Sequence, residues 1–205
     1  MRWWDEQVVP RATDLLLNAG EIHKLRKRTC EGLTGHVLEI GFGSGLNAQH
    51  YPAAVDRVSA VDPSSVAWDL ALHKHLAGIG ARVVRAGLDG ESIDLPDGSV
   101  DSALSTFSLC TIPHVDAALR EVARVLRSGG TFHFLEHGLA PDPRVATWQG
   151  RLTPIQRRVG AGCRLDRPIA DLVAASGLDI SEMERFYLSG PKVLGHVYLG
   201  RAVRS

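Results

Sequence analysis

Three glycines at alternate positions, Gly41, Gly43 and Gly45, follow a short apolar run in the stretch HVLEIGFGSGLNAQHYP, residues 36–52. Glycine has no Cβ, so it admits unusual backbone dihedrals and lets a ligand approach the main chain closely. A turn of this kind after a strand can serve a dinucleotide, a phosphate or another small cofactor. The dinucleotide fingerprint G-x-G-x-x-G needs its third glycine at position 46, where leucine stands. The phosphate-binding loop G-x-x-x-x-G-K-[ST] needs a lysine that does not follow. What remains is E-x-G-x-G-x-G, with Glu39 at the strand end. Asp62 closes the next apolar run, where an acid can accept both ribose hydroxyls of a nucleoside; a turn-capping aspartate before Pro63 is the plainer alternative.

Other residues with chemical potential are scattered. His137 follows an apolar segment, where it could act as a general base or simply as a loop or cap histidine. His114, after Pro113, reads as an exposed loop residue. Cys30, Cys110 and Cys163 form no C-x-x-C pair, so neither a redox motif nor a zinc ribbon is indicated. Cys110 reads as a buried strand residue and Cys163 as packing. No H-E-x-x-H pattern occurs. The expectation is no metal.

The elements that must position these groups alternate. Strands are expected at 36–41, 57–64, 81–87, 99–110 and 131–138. Helices are expected from NAQHY onward, over 65–80 and over 116–126, the last with Asp116 as its N-cap. The first 35 residues carry helical spacing (Val8, Val9, Ala12, Leu15, Leu16, Ile22, Leu25). A helix follows Pro168, and 178–188 and 193–203 suit an antiparallel hairpin turned by SGPK. Strand–helix alternation predicts an α/β fold, a mostly parallel sheet with helices on both faces, seven-stranded with the hairpin. The segment 139–165 reads either as a lid or substrate loop or as a surface helix with a connector.

Along the chain, LEIGFGSG, AVDPS, GLDGESIDLPDGSVD and REVARVLRSGG resemble the successive motifs of class I S-adenosylmethionine-dependent methyltransferases, over roughly residues 36–138. The flavour is that of the group containing quinone-biosynthesis enzymes. FLEHG and GCRLDRPIADLVAASGL are similar to thiol S-methyltransferase-type members. The resemblance implies a Rossmann-like single domain over 1–205: an N-terminal helical cap (1–35), a cofactor-binding core (36–138), a lid or substrate segment (139–165) and a C-terminal helix and hairpin (166–205). It implies S-adenosylmethionine as cofactor and S-adenosylhomocysteine as product. Gly41, Gly43 and Gly45 would lie beneath the methionine part. Glu39 would order that turn through water or backbone groups. Asp62 would bind the ribose hydroxyls, with Pro63 beside the adenine. Asp89 and the backbone of Gly90 match the position that recognises the adenine amino group, although LDG stands where the family often has GDA. Ser105, Thr106 and Phe107 would sit near the methionine moiety. Phe42 replaces a frequent small residue and would point away from the ligand. His137 is the candidate base and substrate contact, and Trp4 with Trp3 a candidate substrate lid or a hydrophobic anchor.

Methyl transfer from a sulfonium is an in-line displacement, so alignment and exclusion of water matter more than acid–base groups. A thiol acceptor needs least help, because thiols ionise readily. The expected activity is therefore methyl transfer to a small nucleophile, with a thiol favoured. Alternatives are a quinol, phenol or lipid-headgroup acceptor, or cofactor binding without catalysis. The 205 residues, 44% hydrophobic and 22% charged, carry 23 basic and 23 acidic side chains. That balance argues against a nucleic-acid-coating protein. STFSLC also differs from the NPPY-type tetrapeptide of amine-directed nucleic-acid enzymes. With no long apolar run and sparse cysteines, the chain is expected to be cytoplasmic, with peripheral membrane contact left open.

Overall fold

The computed structural model describes Arg11, Asp14, residues 20–160 and residues 162–205. Trp3, Trp4 and the helical spacing over Val8–Leu16 lie outside the described residues. Helix α1 (Gly20–Cys30) leads into β1 (Gly35–Ile40), β2 (Val55–Val61), α2 (Ser65–Leu70), β3 (Arg82–Gly87), β4 (Val100–Thr106), α3 (Val115–Val125) and β5 (Leu126–His137). Helix α4 (Pro143–Val159), α5 (Ile169–Ala175), β6 (Leu178–Tyr187), the short α6 (Lys192–Gly195) and β7 (His196–Arg204) complete the chain.

The seven strands form one sheet in the order β3-β2-β1-β4-β5-β7-β6. The first five are parallel; β7 runs antiparallel to both β5 and β6. Residues of β1 alternate between two cores, as the two-residue period of a strand requires. Val37 packs with Cys30, Leu33, Val58 and Leu104 on the α1 side. Leu38 and Ile40 pack with Phe132, Phe134, Val122 and Ile169, the last two from α3 and α5. Both faces are thus covered, which is why β1 carries Val37, Leu38 and Ile40 on both sides and why even the serines of β4 are buried.

Strand order reverses direction at β1, which pairs with β2 on one side and β4 on the other. That switch point opens a crevice beyond the carboxyl ends of β1 and β4. Local details differ from the sequence expectations. NAQHY contributes only a 3₁₀ turn, Ala48–His50, because Pro52 holds Tyr51 extended. Helix α2 is continued by a single wide π turn, Ala71–His75, short of the expected residue 80. Strand β4 ends at Thr106, where Phe107 turns into the left-handed region at φ 54°. His114 precedes α3, so Asp116 lies in its first turn and pairs instead with Arg120 at 3.1 Å. Strand β5 starts at Leu126, directly after α3, and takes Gly129 and Gly130 into its length.

Candidate active site

The glycine turn leaves β1 at the switch point, and its three glycines have φ of 68°, 55° and 79°. A Cβ on Gly41 would stand 1.9 Å from Ser108 Oγ, so the turn after β1 and the loop after β4 touch through the missing side chain. A Cβ on Gly45 would meet Ala71 at 3.2 Å. At Gly43 the only neighbour among the described residues is Gly41 O at 3.9 Å, which leaves space beside the main chain as far as they reach. Phe42 is buried with Ala60, Ala71 and Trp68, so its ring lies in the protein core as expected. Asp62 fastens the turn. Its Oδ2 accepts the Gly43 N–H at 2.8 Å and its Oδ1 accepts the Ser64 N–H at 2.8 Å. Burial raises the Asp62 carboxyl above its ordinary range, against the pull of those two N–H groups and Arg85. Asp14 reaches the same region, bonding Lys74 at 2.9 Å and His75 at 3.0 Å.

Glu39 is buried beneath the turn and accepts hydrogen bonds from Asn47 Nδ2 at 2.9 Å and from the Tyr51 hydroxyl. Glu39 thus ties the turn to its surroundings through two side chains, Asn47 and Tyr51. Asn47 Nδ2 also reaches Thr106 Oγ1 at 2.9 Å, and Arg26 donates to Asn47 Oδ1 at 2.9 Å and Thr106 Oγ1 at 2.7 Å. Burial pushes the Glu39 carboxyl up to about 7, with Tyr51, Asn47 and Arg26 opposing it. The network joins α1, β1, the 3₁₀ turn and β4, and Pro52 ends the turn by holding Tyr51 extended.

Glu136, at the end of β5, shapes the loop after β4. Its Oε1 accepts the Ser105 hydroxyl at 2.7 Å and the Ser108 N–H at 3.0 Å, and its Oε2 accepts the Cys110 N–H at 3.4 Å. Burial raises its carboxyl, and those donors oppose the rise. Ser105 is itself fully buried with its hydroxyl proton committed to Glu136. Arg167 closes the loop from the other side by donating to Leu109 O at 2.6 Å and to Ile112 O. Phe107 takes its left-handed backbone between these anchors, a conformation that costs about 1–3 kcal/mol and clusters at functional sites.

His137 is half-buried at the carboxyl end of β5, its ring 4.8 Å from that of Phe107. Beside it lie the buried Cys110 and Cys163, whose sulfurs are 3.6 Å apart. The shared hydrogen bond keeps the proton on Cys110 and favours the thiolate at Cys163, helped by His137 and Gln156 against the cost of burial. Asp89 and Pro63 are exposed on the same edge; Asp89 accepts the Glu91 N–H at 2.8 Å. Gly90 packs tightly, since a Cβ there would be 3.1 Å from Ile40.

Comparison with known proteins matches residues 38–134 to the family described as a methyltransferase domain. The chain is 31% identical to human thiol S-methyltransferase TMT1A over 98% of its own length and 81% of that protein. The chain belongs to the class I S-adenosylmethionine-dependent methyltransferases. It is also 35% identical to human thiol S-methyltransferase TMT1B, over 80% of this methyltransferase and 73% of that relative. Among solved structures, the Haemonchus contortus phosphoethanolamine N-methyltransferase 2 with phosphomonomethylethanolamine and S-adenosylhomocysteine superposes with a TM-score of 0.72. That match covers 99% of this chain and 60% of the other, at 18% identity, and concerns the fold.

In this methyltransferase the fold gathers Glu39, Gly41, Gly43, Gly45, Asp62 and Phe107 around the crevice, with His137 against Phe107 and Asp89–Gly90 along the edge; Trp4 lies outside the described residues. Sequence reasoning missed Arg26, Asn47, Tyr51, Glu136 and Arg167. Glu136 had one available signal, a lone acid inside the apolar run FHFLEH, where burial demands partners. Among the described residues no helix is long and apolar enough to cross a membrane.

Proposed function

We propose that this methyltransferase methylates the sulfur of a small thiol. The observation that carries the reading is on the acceptor side: His137, half-buried on Phe107, lies with its ring nitrogen within 4.8 Å of the Cys110 and Cys163 sulfurs. A thiol ionises readily, so an acceptor sulfur held beside these groups needs little further help to lose its proton. The two human relatives named as thiol S-methyltransferases support the same choice.

Cofactor roles follow from the residues of the crevice. The space beside Gly43 and the main-chain turn of Gly41–Gly45 fit a small ligand laid against the backbone. Asp62 spends one lone pair of each oxygen on Gly43 and Ser64, and keeps a second on each for the ribose hydroxyls. Glu39, through Asn47 and Thr106, sets the floor under the methionine end. Asp89, Gly90 and Pro63 are read as the adenine edge, and Ser105 contributes by donating its hydroxyl to Glu136, which shapes the loop, rather than by touching the ligand. Bound there, S-adenosylmethionine supplies an electrophilic methyl on a sulfonium. His137 lies beside the acceptor sulfur and orients it, and Phe107 shields the site from water.

The test is a panel of small thiols, phenols, quinols and amines with labelled methyl donor. Label in thiols alone is the expected outcome. Label in phenols or amines but not thiols would overturn the acceptor. Absence of heat on titrating S-adenosylhomocysteine at millimolar concentration would overturn the cofactor roles.

A further inference from the structure

Cys110, His137 and Cys163 come from the loop after β4, the end of β5 and the connector before α5, yet their ligand atoms all lie within 4.8 Å of one another. Both cysteines are buried and His137 is half-buried. We propose that these three side chains hold one soft divalent cation such as zinc, and that the acceptor thiolate of the reading above takes its fourth position.

The donor spacing supports a metal. With metal–sulfur bonds of about 2.3 Å, two sulfurs 3.6 Å apart subtend roughly 103° at the ion, close to the tetrahedral angle. The imidazole nitrogen must move in by no more than about 1.3 Å to reach the roughly 3.5 Å sulfur–nitrogen spacing of such a site, a small ring tilt for a half-buried side chain. Two thiolates, a neutral imidazole and a dication sum to zero charge, which removes the penalty of burying an isolated thiolate. The donor set is soft and nitrogen-containing, suited to zinc and poorly suited to magnesium or calcium. Three protein ligands are the number found in catalytic zinc sites, which keep one position open.

The placement points to the reaction. Cys110 lies two residues beyond Ser108, whose hydroxyl donates to Gly41 O at 3.2 Å, and the His137 ring rests on Phe107. The cluster therefore faces the end of the crevice where the glycine turn and the loop after β4 meet. An acceptor thiol would release its proton to solvent on ligation. Its sulfur lone pair then forms the new S–CH3 bond as the sulfonium S–CH3 bond breaks, leaving two neutral thioethers, both poor ligands that depart. His137 would act as a ligand here rather than as a base.

Cobalt substitution tests this directly. The full chain is stripped with a chelator under reducing conditions and titrated anaerobically with Co2+. Expected are one cobalt per chain, thiolate-to-cobalt charge-transfer bands and the visible bands of tetrahedral cobalt. These should vanish in C110S and C163S and weaken in H137A, while S-adenosylhomocysteine binding by calorimetry confirms that each variant is folded. Adding a small thiol should shift the visible bands, and a phenol should not. Absence of bands, or their survival in the C110S/C163S double variant, would overturn the site; a Cys110–Cys163 disulfide recovered from protein prepared under reducing conditions would do so too. Chelation should lower thiol methylation at least about tenfold. Unchanged thiol methylation by the stripped protein would overturn the metal's role while the thiol reading stands. Cobalt bands in a protein that methylates no thiol would leave the metal site standing and overturn the acceptor.

Discussion

Asp62 carries two loads, and they can be separated. Its carboxylate takes the Gly43 and Ser64 N–H groups at 2.8 Å each, which holds the turn after β1 to the end of β2. Hydrogen bonds to a charged group contribute about 1.5–3 kcal/mol each, so Asp62→Ala removes up to roughly 3–6 kcal/mol from the turn, less whatever water recovers at its partly open edge. If the same oxygens also accept both ribose hydroxyls, S-adenosylhomocysteine affinity should fall by at least ~3 kcal/mol, about 150-fold. A loosened turn would weaken binding too, so affinity alone does not decide. The deciding assay is a cycle between Asp62→Ala and a 2′-deoxy analogue of S-adenosylhomocysteine, measured by calorimetry, with thermal unfolding recording the structural share. In the wild type the analogue should bind about tenfold or more weakly. In the variant that difference should disappear, because interacting groups are non-additive. An equal analogue penalty in both proteins would refute the ribose contact and leave Asp62 a purely structural residue.

Two further outcomes follow from the same geometry. Folded Glu39 titrates near 7, against 4.5 for an exposed glutamate, chiefly through burial. Between those values the folded chain keeps a proton that the unfolded chain has lost, so this contribution is full below about pH 4.5 and is lost as pH rises through 7. His50 and His133, held near 4 by burial, act oppositely, losing stability as pH falls from 6.5 towards 4. Glu39→Gln should therefore remove a downward slope of up to ~1.4 kcal/mol per pH unit, read as the difference in urea midpoints between variant and wild type across roughly pH 5–8. A pH-independent difference would sink the assignment. Gly41→Ala and Gly43→Ala should diverge: the first places a Cβ 1.9 Å from Ser108 Oγ and should cost at least ~2 kcal/mol of stability, whereas the second meets only Gly41 O, at 3.9 Å, among the described residues. Gly43→Ala should cost only about 1 kcal/mol through its positive φ yet abolish most S-adenosylhomocysteine binding; equal effects of the two on both measurements would contradict the turn's geometry.

The residues most readily read were those whose meaning is local. The spacing of Gly41, Gly43 and Gly45 reports a left-handed turn because only glycine tolerates it cheaply, and all three do carry positive φ. The short apolar-rich segments at β1 and β2 report buried strands, and strand–helix alternation reports a parallel sheet. NAQHY stops at a 3₁₀ turn because Pro52 holds Tyr51 extended, at ψ 128°, a restriction legible in the sequence; the bonds of Asn47 and Tyr51 to a buried carboxylate are not legible there. Asp116 failed as a cap because the chain already enters α3 at Val115.

What sequence alone determined, then, is the sheet, the turn after β1 and, through resemblance, the family and with it the methyl donor. The acceptor's end belongs to the tertiary structure. Glu136 meets Ser105 and Ser108 across two strands, Arg26 meets Thr106 from helix α1, and Cys110 meets Cys163 across two intervening helices and a strand. Each partner taken singly is an ordinary serine, arginine or cysteine with no distinctive neighbours. Only when the parallel order β1-β4-β5 brings their carboxyl ends to one edge do a buried acid, an imidazole and two sulfurs become a site, because their chemistry depends on separations in space of a few ångströms that no spacing along the chain encodes.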